Sequence, residues 1–255
     1  MRKTPENRVA GLYNTLLGLW GPQRWWPAET RFEVIAGAIL VQNTAWTNAS
    51  HALHALRNVG VLSVEGIRRT PAAELEPLVR SSGYFRQKAA RLKAFVEWLD
   101  RQYDGSMERM FRQPTRKLRV ELLELKGFGR ETADSILLYG GYHEIFVVDA
   151  YTRRIFERHE LILPSADYDD LRLLVERALD ESSVRPPSAI VKVKIKLPPV
   201  HDPSPMSEAE RSSRSQTFNE MHALMVQIGK HYCHRARALC EECPLKYDLA
   251  KPNID

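Results

Sequence analysis

Residues 122–139 read LLELKGFGRETADSILLY, and this stretch decides which fold we predict. The spacing of its apolar residues indicates a helix that ends near Leu125, a turn through residues 127–129 and a second helix from Arg130. Two glycines around one apolar residue allow a tight turn with positive φ. The N–H groups of such a turn and of the next helix N-terminus can bind a phosphate of any DNA sequence. A GxG motif also joins helices in ordinary helix–helix turns, so this stretch alone leaves both interpretations open.

The same helical period dominates the chain up to about residue 182, with Gly, Pro or Ser between the periodic stretches. We therefore predict an all-α fold. The composition, 44% hydrophobic and 27% charged over 255 residues, is that of a globular protein with a substantial core. The stretches that we predict as helices are 7–20, 31–42, 47–57, 74–80, 86–101, 115–125, 130–139, 151–158, 168–180 and 217–232.

One segment, residues 186–214, differs in character from the rest of the chain. It holds six prolines and then a stretch rich in Ser and Arg, which predicts an inserted flexible loop. Within it, residues 190–197 alternate apolar residues with lysines, the period of a β-strand. These lysines can contact DNA or simply face solvent, and the solvated loop is the simpler interpretation.

The formal net charge of +5 permits a polyanionic partner such as DNA, although many basic proteins bind no nucleic acid. The N-terminus lacks the apolar core of a signal peptide, and no apolar run is long enough to span a bilayer. We therefore expect a cytoplasmic, nucleoid-associated protein with no membrane partner.

An aspartate at a helix start follows the second hairpin helix. Four apolar residues, 145–148, run directly into Asp149, and a further helix is predicted from Ala150. The default interpretation of Asp in this position is an N-cap, whose side chain accepts a hydrogen bond from the first helical turn. Asp149 also lies 18 residues after Glu131, in the second half of the hairpin.

The pattern L-x-G-x-G-x-x-T-A at residues 125–133, followed by V-D at Asp149, resembles the helix-hairpin-helix DNA glycosylases related to endonuclease III. The resemblance implies that Asp149 is the catalytic carboxylate and that the partner is double-stranded DNA containing damaged bases. Cleavage of an N-glycosidic bond builds positive charge on the deoxyribose, which a fixed carboxylate stabilises, and the target base must first be flipped out. The DNA-binding residues implied in the hairpin are Lys126, Gly127, Phe128, Gly129, Arg130 and Thr132.

The residue at position 131 bears on the mechanism. Family members that also cut the strand carry a lysine there, which attacks the sugar and forms a Schiff base. This chain has Glu131, and a carboxylate cannot form an imine. We therefore predict a monofunctional glycosylase that uses water and leaves an abasic site.

A second resemblance concerns the substrate. The stretch Trp25-Trp26-Pro27, then F-E-x-x-x-G-A-I-L-x-Q-N-T at residues 32–44, is similar to the type III 3-methyladenine DNA glycosylases, as are residues 82–89 and 126–134. Cationic bases such as 3-methyladenine stack favourably on electron-rich aromatic rings and leave without a strong general acid. Tryptophans also commonly serve as core filler. The substrate-pocket residues that this branch implies are Trp25, Trp26, Pro27, Trp46 and Lys230.

Gln42 follows the helix that carries most of this motif. It matches the residue that related enzymes insert into the gap left by the flipped base. As a plain amide at the C-terminal end of a helix it needs no such role, and we leave both interpretations open.

Three cysteines, Cys233, Cys240 and Cys243, reproduce three of the four ligands of the C-terminal iron–sulfur loop of endonuclease III relatives. The fourth ligand is expected at position 249, where the chain has Leu249. Three hypotheses follow: a 4Fe-4S cluster with an unusual fourth ligand, a three-cysteine metal site completed by His231 or His234, or a site that has lost its metal.

We expect a two-lobed helix-hairpin-helix glycosylase fold with DNA bound in the cleft between the lobes. Residues 30–145 form a six-helix domain, and residues 1–29 with 146–255 form the second lobe. Two other functions remain open: a glycosylase for a mismatched or oxidised pyrimidine, and a non-catalytic DNA-binding protein. The second is disfavoured because binding alone needs no buried carboxylate at position 149.

Overall fold

The computed structural model describes residues 4–180, 182–184 and 202–249. These residues contain helices, turns and a single isolated bridge but no β-strand, which confirms the all-α prediction. The strand-like run at 190–197 and the larger part of the predicted insertion lie outside the described residues. None of the helices in this part of the chain combines the length and hydropathy that crossing a membrane requires.

The chain forms two compact units. The hairpin unit comprises Trp26–His143 and Ser204–Met206, and the terminal unit comprises the described parts of Met1–Trp25, Glu144–Pro203 and Ser207–Asp255. The helices of the hairpin unit are α2 (Arg31–Leu40), α3 (Trp46–Asn58), α4 (Val64–Arg69), α5 (Ala72–Leu78), α6 (Phe85–Tyr103), α7 (Met107–Phe111), α8 (Thr115–Glu124) and α9 (Arg130–Ser135). The terminal unit holds α1 (Pro5–Trp20), α10 (Ala150–Arg158), α11 (Tyr168–Ala178) and α13 (Ser213–His231), and the short α12 (Pro205–Glu208) lies where the chain passes between the units.

The hairpin unit starts earlier than residue 30 and includes a short distant stretch. Hydrogen bonds explain the second feature, because the Ser204 hydroxyl donates to the Trp26 carbonyl at 3.2 Å and accepts the Ala28 N–H at 3.2 Å. The Met206 N–H also donates to the Ala28 carbonyl at 3.1 Å. Part of the segment that we predicted to be a flexible insertion, residues 204–206, is thus attached to this unit.

Helix α2 is buried from Phe32 to Leu40, as its almost wholly apolar sequence requires. Its C-terminal end is held by Lys88, whose ammonium donates to the Leu40 carbonyl at 2.9 Å and to the Ser82 carbonyl at 2.5 Å. Burial, together with the smaller effect of the positive charge of Arg91, lowers the pKa of Lys88 to about 8. This buried lysine therefore fixes the turn that carries Gln42.

Helix α13 is the most buried helix of the terminal unit, with every residue from Thr217 to Gly229 buried. It begins at Ser213, four residues before the predicted start, because Ser212 caps it by accepting the Ser215 N–H. The polar first turn has no apolar period, so the pattern did not reveal it. The helices α4, α7 and α12 were missed because they are too short for a 3.6-residue period to show.

Helices α10 and α13 approach so closely that one glycine is required. A Cβ atom on Gly229 would lie 2.0 Å from Cδ1 and 2.6 Å from Cγ of the Tyr151 ring. These are atoms near the base of the ring, so the ring cannot swing aside without moving α10. The glycine in the last turn of α13 thus lies where α10 starts.

We predict that Gly229→Ala lowers the free energy of unfolding by about 1–3 kcal/mol, because overpacking forces α10 away from α13. Urea unfolding measures this change. The matched control is Gly11→Ala in the exposed face of α1, where a Cβ meets nothing within 4 Å. That variant should gain about 0.5–1 kcal/mol, since alanine favours helix. Equal behaviour of the two variants would contradict the close contact.

Candidate active site

Asp149 is held at the start of α10 as the N-cap that the sequence indicated. Its Oδ1 accepts the Thr152 N–H at 2.7 Å, and its backbone is extended. The preceding residues Ile145–Val148 are buried, which fixes the chain as it enters α10. The Asp149 carboxylate is only 11% exposed. One carboxylate oxygen is therefore fixed by the helix N-terminus, and the other is available for a second interaction.

Helix α13 supplies that second interaction. His222 Nε2 lies 3.6 Å from Asp149 Oδ2, and the imidazole is 6% exposed. Lys230 follows two turns later on α13, near the C-terminal end of the helix, and the charge of Asp149 acts on its ammonium. The sequence analysis named Lys230 but missed His222, because a single histidine among apolar residues is typical of a helix core. Its spacing of eight residues from Lys230 was the available signal.

Burial controls the protonation of both basic groups. Desolvation lowers the pKa of His222, and the negative charge of Asp149 opposes this only in part. His222 is thus neutral at pH 7. Desolvation likewise lowers the pKa of Lys230, again against the effect of Asp149. Asp149 therefore faces a neutral imidazole rather than an imidazolium.

Trp25 completes this cluster in the terminal unit. Its buried ring lies 6.1 Å from the His222 ring, centroid to centroid. Two side chains of α13 hold its backbone. Asn219 donates to the Trp25 carbonyl, and the buried Glu220 accepts the N–H groups of Gln23 and Arg24. Helix α13 thus positions the tryptophan as well as His222 and Lys230.

The other predicted pocket residues belong to the hairpin unit. The buried Trp26 packs edge-on against Trp46, with ring centroids 4.9 Å apart, and stacks on Tyr139, also at 4.9 Å. Pro27 follows Trp26 and is half-buried. Tyr139 was missed by the sequence analysis. It lies in a π-helical turn, Ile136–Gly140, that ends α9, and such turns are common near functional sites.

The two glycines of the hairpin turn between α8 and α9 differ in conformation: Gly127 has a positive φ angle and Gly129 is extended. Gly127 has φ +86°, and the Phe128 N–H closes the turn on the Leu125 carbonyl at 3.0 Å. Phe128 is buried and its ring stacks on Phe95, so it anchors the turn in the core. Gly129 is extended, and a Cβ atom there would meet nothing within 4 Å. The fold therefore requires a glycine at 127 but not at 129.

Two of the predicted DNA-binding residues brace the hairpin. Gln42 Nε2 donates to the Gly127 carbonyl at 3.0 Å and to Thr132 Oγ1 at 2.8 Å, while Arg91 donates to Gln42 Oε1. Thr132 is itself buried. Gln42 thus serves a structural purpose in this structure, whatever it does on DNA. Lys126 and Arg130 are exposed on either side of the turn.

A buried ion pair that the sequence did not reveal joins the two hairpin helices. Arg119 of α8 binds Asp134 of α9 with two hydrogen bonds, at 2.7 and 3.1 Å. The Asp134 carboxylate is fully buried. A two-bond arginine–carboxylate pair fixes both position and angle, so it sets how the helices flank the turn.

The cysteines line one small cavity of the terminal unit together with Leu249. Cys233 and Cys243 are buried and Cys240 is exposed. Arg158 Nη1 lies 3.1 Å from Cys233 Sγ and also donates to the His234 carbonyl at 2.8 Å. Burial raises the pKa of the Cys243 thiol, which favours its protonated form.

These side chains do not fit a four-ligand iron–sulfur cluster. The donor set stops at three thiols, and the position of the fourth is taken by the hydrocarbon side chain of Leu249. In the part of the chain that the structure describes, no group of three or more His, Cys, Asp or Glu side chains is arranged to hold a metal ion. The guanidinium of Arg158 holds the loop by hydrogen bonds instead.

The comparisons with known proteins agree with this geometry. Residues 36–181 match the model of the family described as "HhH-GPD superfamily base excision DNA repair protein". This match spans the hairpin, Asp149 and more than half of the chain. The chain belongs to the HhH-GPD superfamily. The resemblance to endonuclease III-like proteins is therefore confirmed, and the chain is a base excision repair protein that acts on DNA.

Two relatives and one distant neighbour define its place among HhH-GPD proteins. The chain is 36% identical over 248 residues to the "Putative DNA repair glycosylase" of Methanocaldococcus jannaschii, covering 96% of this chain and 97% of that protein. The H. pylori 3-methyladenine DNA glycosylase, solved with 1,N6-ethenoadenine, has a TM-score of 0.68 and 27% identity, over 89% of this chain and 98% of that one. An endonuclease III–DNA complex reaches a TM-score of 0.70 at 16% identity, over 97% and 96% of the chains, which shows the shared fold.

We predict that Gly129→Ala weakens binding to duplex DNA about tenfold without loss of stability, because its Cβ occupies the open space that a phosphate would approach. Fluorescence anisotropy with a labelled duplex measures the Kd. The control is Gly127→Ala. Its Cβ would lie 2.2 Å from Arg91 Nε, and the positive φ angle costs about 1–2 kcal/mol with alanine. We therefore expect Gly127→Ala to lower the free energy of unfolding. An unchanged Kd for Gly129→Ala would contradict a phosphate site at this turn.

Proposed function

We propose that this HhH-GPD protein is a monofunctional DNA N-glycosylase that releases alkylated purines such as 3-methyladenine, acting as a monomer on double-stranded DNA. One observation carries the proposal. Asp149 fixes one oxygen on the α10 N-terminus and turns the other toward a neutral histidine, with the Trp25 ring beside that histidine. A carboxylate fixed in its direction is the kind of group that can stabilise a cationic sugar.

The reaction needs few groups. As the bond between C1′ and the base nitrogen breaks, its electron pair leaves with the base, and positive charge develops on the deoxyribose. A carboxylate beneath the sugar stabilises that charge and accepts the proton of the attacking water. The water oxygen becomes the hydroxyl at C1′ of the abasic site. Asp149 is the residue to which we assign both tasks.

Alkylated purines suit a site with aromatic rings and no strong acid. A methylpurine that is cationic within DNA departs as a neutral base, so no proton has to be donated to it. Its positive charge favours the faces of aromatic rings over a neutral base. Trp25, beside His222 in the terminal unit, is the ring that we propose contacts it. The substrate named for the H. pylori relative supports the same class.

Lys230 bears on whether the chain also cuts the strand. Position 131 carries no amine, while Lys230 lies near Asp149 with a pKa lowered by burial and only partly restored by Asp149. We propose that Lys230 lines the substrate pocket and that water, not this amine, attacks the sugar.

We predict that the Asp149→Asn variant retains the duplex Kd and loses base release by at least about a hundredfold, because it removes the charge but not the shape. Asparagine caps helices as well as aspartate does, so the stability of α10 should stay within about 0.5 kcal/mol. Single-turnover release from dimethyl sulfate-treated duplex, followed by chromatography of the freed bases, measures the rate. A variant with unchanged release would remove Asp149 from the reaction.

We predict strand breaks only after alkali treatment, because hydrolysis leaves an intact abasic site. Gel analysis before and after alkali measures this. Borohydride provides the control, since it traps an imine between an amine and the sugar as a stable protein–DNA adduct. A trapped adduct would contradict the monofunctional assignment, and its loss in Lys230→Gln would identify the attacking amine.

A further inference from the structure

The reaction steps proposed above assign no task to the histidine that lies beside the proposed catalytic carboxylate. His222 is buried in α13, and its Nε2 lies 3.6 Å from Asp149 Oδ2. That distance is longer than a direct hydrogen bond, but catalytic hydrogen bonds often tighten when substrate binds. Because an ionised carboxylate only accepts hydrogen bonds, the nitrogen that faces it carries the proton.

The two oxygens of Asp149 face two elements. The start of α10 holds Oδ1 through the Thr152 N–H at 2.7 Å, and α13 presents the imidazole edge to Oδ2 at 3.6 Å. Rotation of the carboxylate about its Cβ–Cγ bond would break the hydrogen bond from Thr152 and carry Oδ2 away from the imidazole. The imidazole is itself fixed, since the Trp25 ring packs against it and Asn219 holds the Trp25 backbone.

The charge of the imidazole matters as much as its position. Asp149, at the start of α10, is a charged group that acts on His222, and it also acts on Lys230. The Trp25 segment offers an uncharged ring. A protonated His222 would pair with Asp149 and cancel the negative charge that the developing sugar cation requires. A neutral His222 orients the carboxylate and leaves that charge intact.

We propose that His222 is a positioning residue for Asp149: the imidazole edge that α13 presents to Oδ2 holds the carboxylate in the direction of the sugar. This inference rests on the proposed glycosylase function. A purely structural histidine, filling the core between α13 and Trp25, is the alternative that the experiment must separate. A purely structural histidine can be replaced by another ring that has no N–H group. A positioning histidine can be replaced by a side chain that keeps the N–H group without the ring.

The experiment compares His222→Phe with His222→Gln. Phenylalanine keeps a ring against Trp25 but has no N–H, whereas the glutamine amide places an N–H near the position of Nε2 and never gains a charge. We expect His222→Phe to slow single-turnover release of methylated bases about tenfold with the duplex Kd unchanged. We expect His222→Gln to stay within about threefold of the wild type. Urea unfolding of both variants establishes that they fold.

The pH profile provides a readout that a structural role would not move. Protonation disables His222 in the wild type, so its rate should be full above the pKa of His222 and fall as the pH drops through it. Burial places that pKa below the usual 6.5, with Asp149 as the opposing influence. In His222→Gln the fall should move to lower pH, because no imidazole is present to protonate.

The possible outcomes distinguish a failure of the positioning role of His222 from a failure of the proposed glycosylase function. A folded His222→Phe that releases bases as fast as the wild type overturns the positioning role. So does a glutamine variant that folds and shows the wild-type pH profile. If the His222→Gln variant does not fold, the release rate of His222→Phe alone decides. If the His222→Phe variant does not fold, the pH profile of His222→Gln decides. A wild-type chain that frees no base from methylated DNA overturns the proposed function instead.

Discussion

The contact between α10 and α13 is the constraint on which the candidate site depends. Gly229 lets the two helices meet at the Tyr151 ring, where any larger residue would collide. That contact brings the start of α10, with Asp149, next to a helix that carries His222 and Lys230. Packing between two helices, rather than any loop, thus sets the distances among the groups that we assign to the chemistry.

Helix α13 contains several buried polar side chains. Glu220 is fully buried, and burial raises its pKa, while the N–H groups of Gln23 and Arg24 bind the carboxylate. Gln227 donates to Gln23 Oε1 at 3.1 Å, and Asn219 holds Trp25. Each such group would be costly to bury without a partner, so the chain before Trp25 and α13 determine one another's position. These hydrogen bonds hold the Trp25 segment in a fixed position against α13.

The elements that depend on residues close together in the chain could be predicted from the sequence. The hairpin follows from a GxG between two periodic stretches, and Asp149 follows from an aspartate after four apolar residues at a helix start. His222 and Tyr139 could not be predicted, since each acquires its role from a partner far along the chain, Asp149 and Trp26 respectively. Adjacent tryptophans suggested one shared pocket wall, yet Trp25 and Trp26 fall in different units. The cysteine spacing indicated an iron–sulfur ancestry and showed that Leu249 replaces the fourth ligand, but only the structure shows the hydrogen bonds of Arg158 to this loop.

The central claim is that a carboxylate held between a helix N-terminus and a neutral histidine hydrolyses the bond to an alkylated purine. Mass spectrometry of the bases that the wild-type chain frees from a lesion panel tests it most directly. The panel contains 3-methyladenine, 7-methylguanine, uracil, thymine glycol and a G·T mismatch, each in duplex DNA. The account predicts release of the methylated purines. Release of uracil, thymine or thymine glycol in their place, or of no base at all, would contradict it.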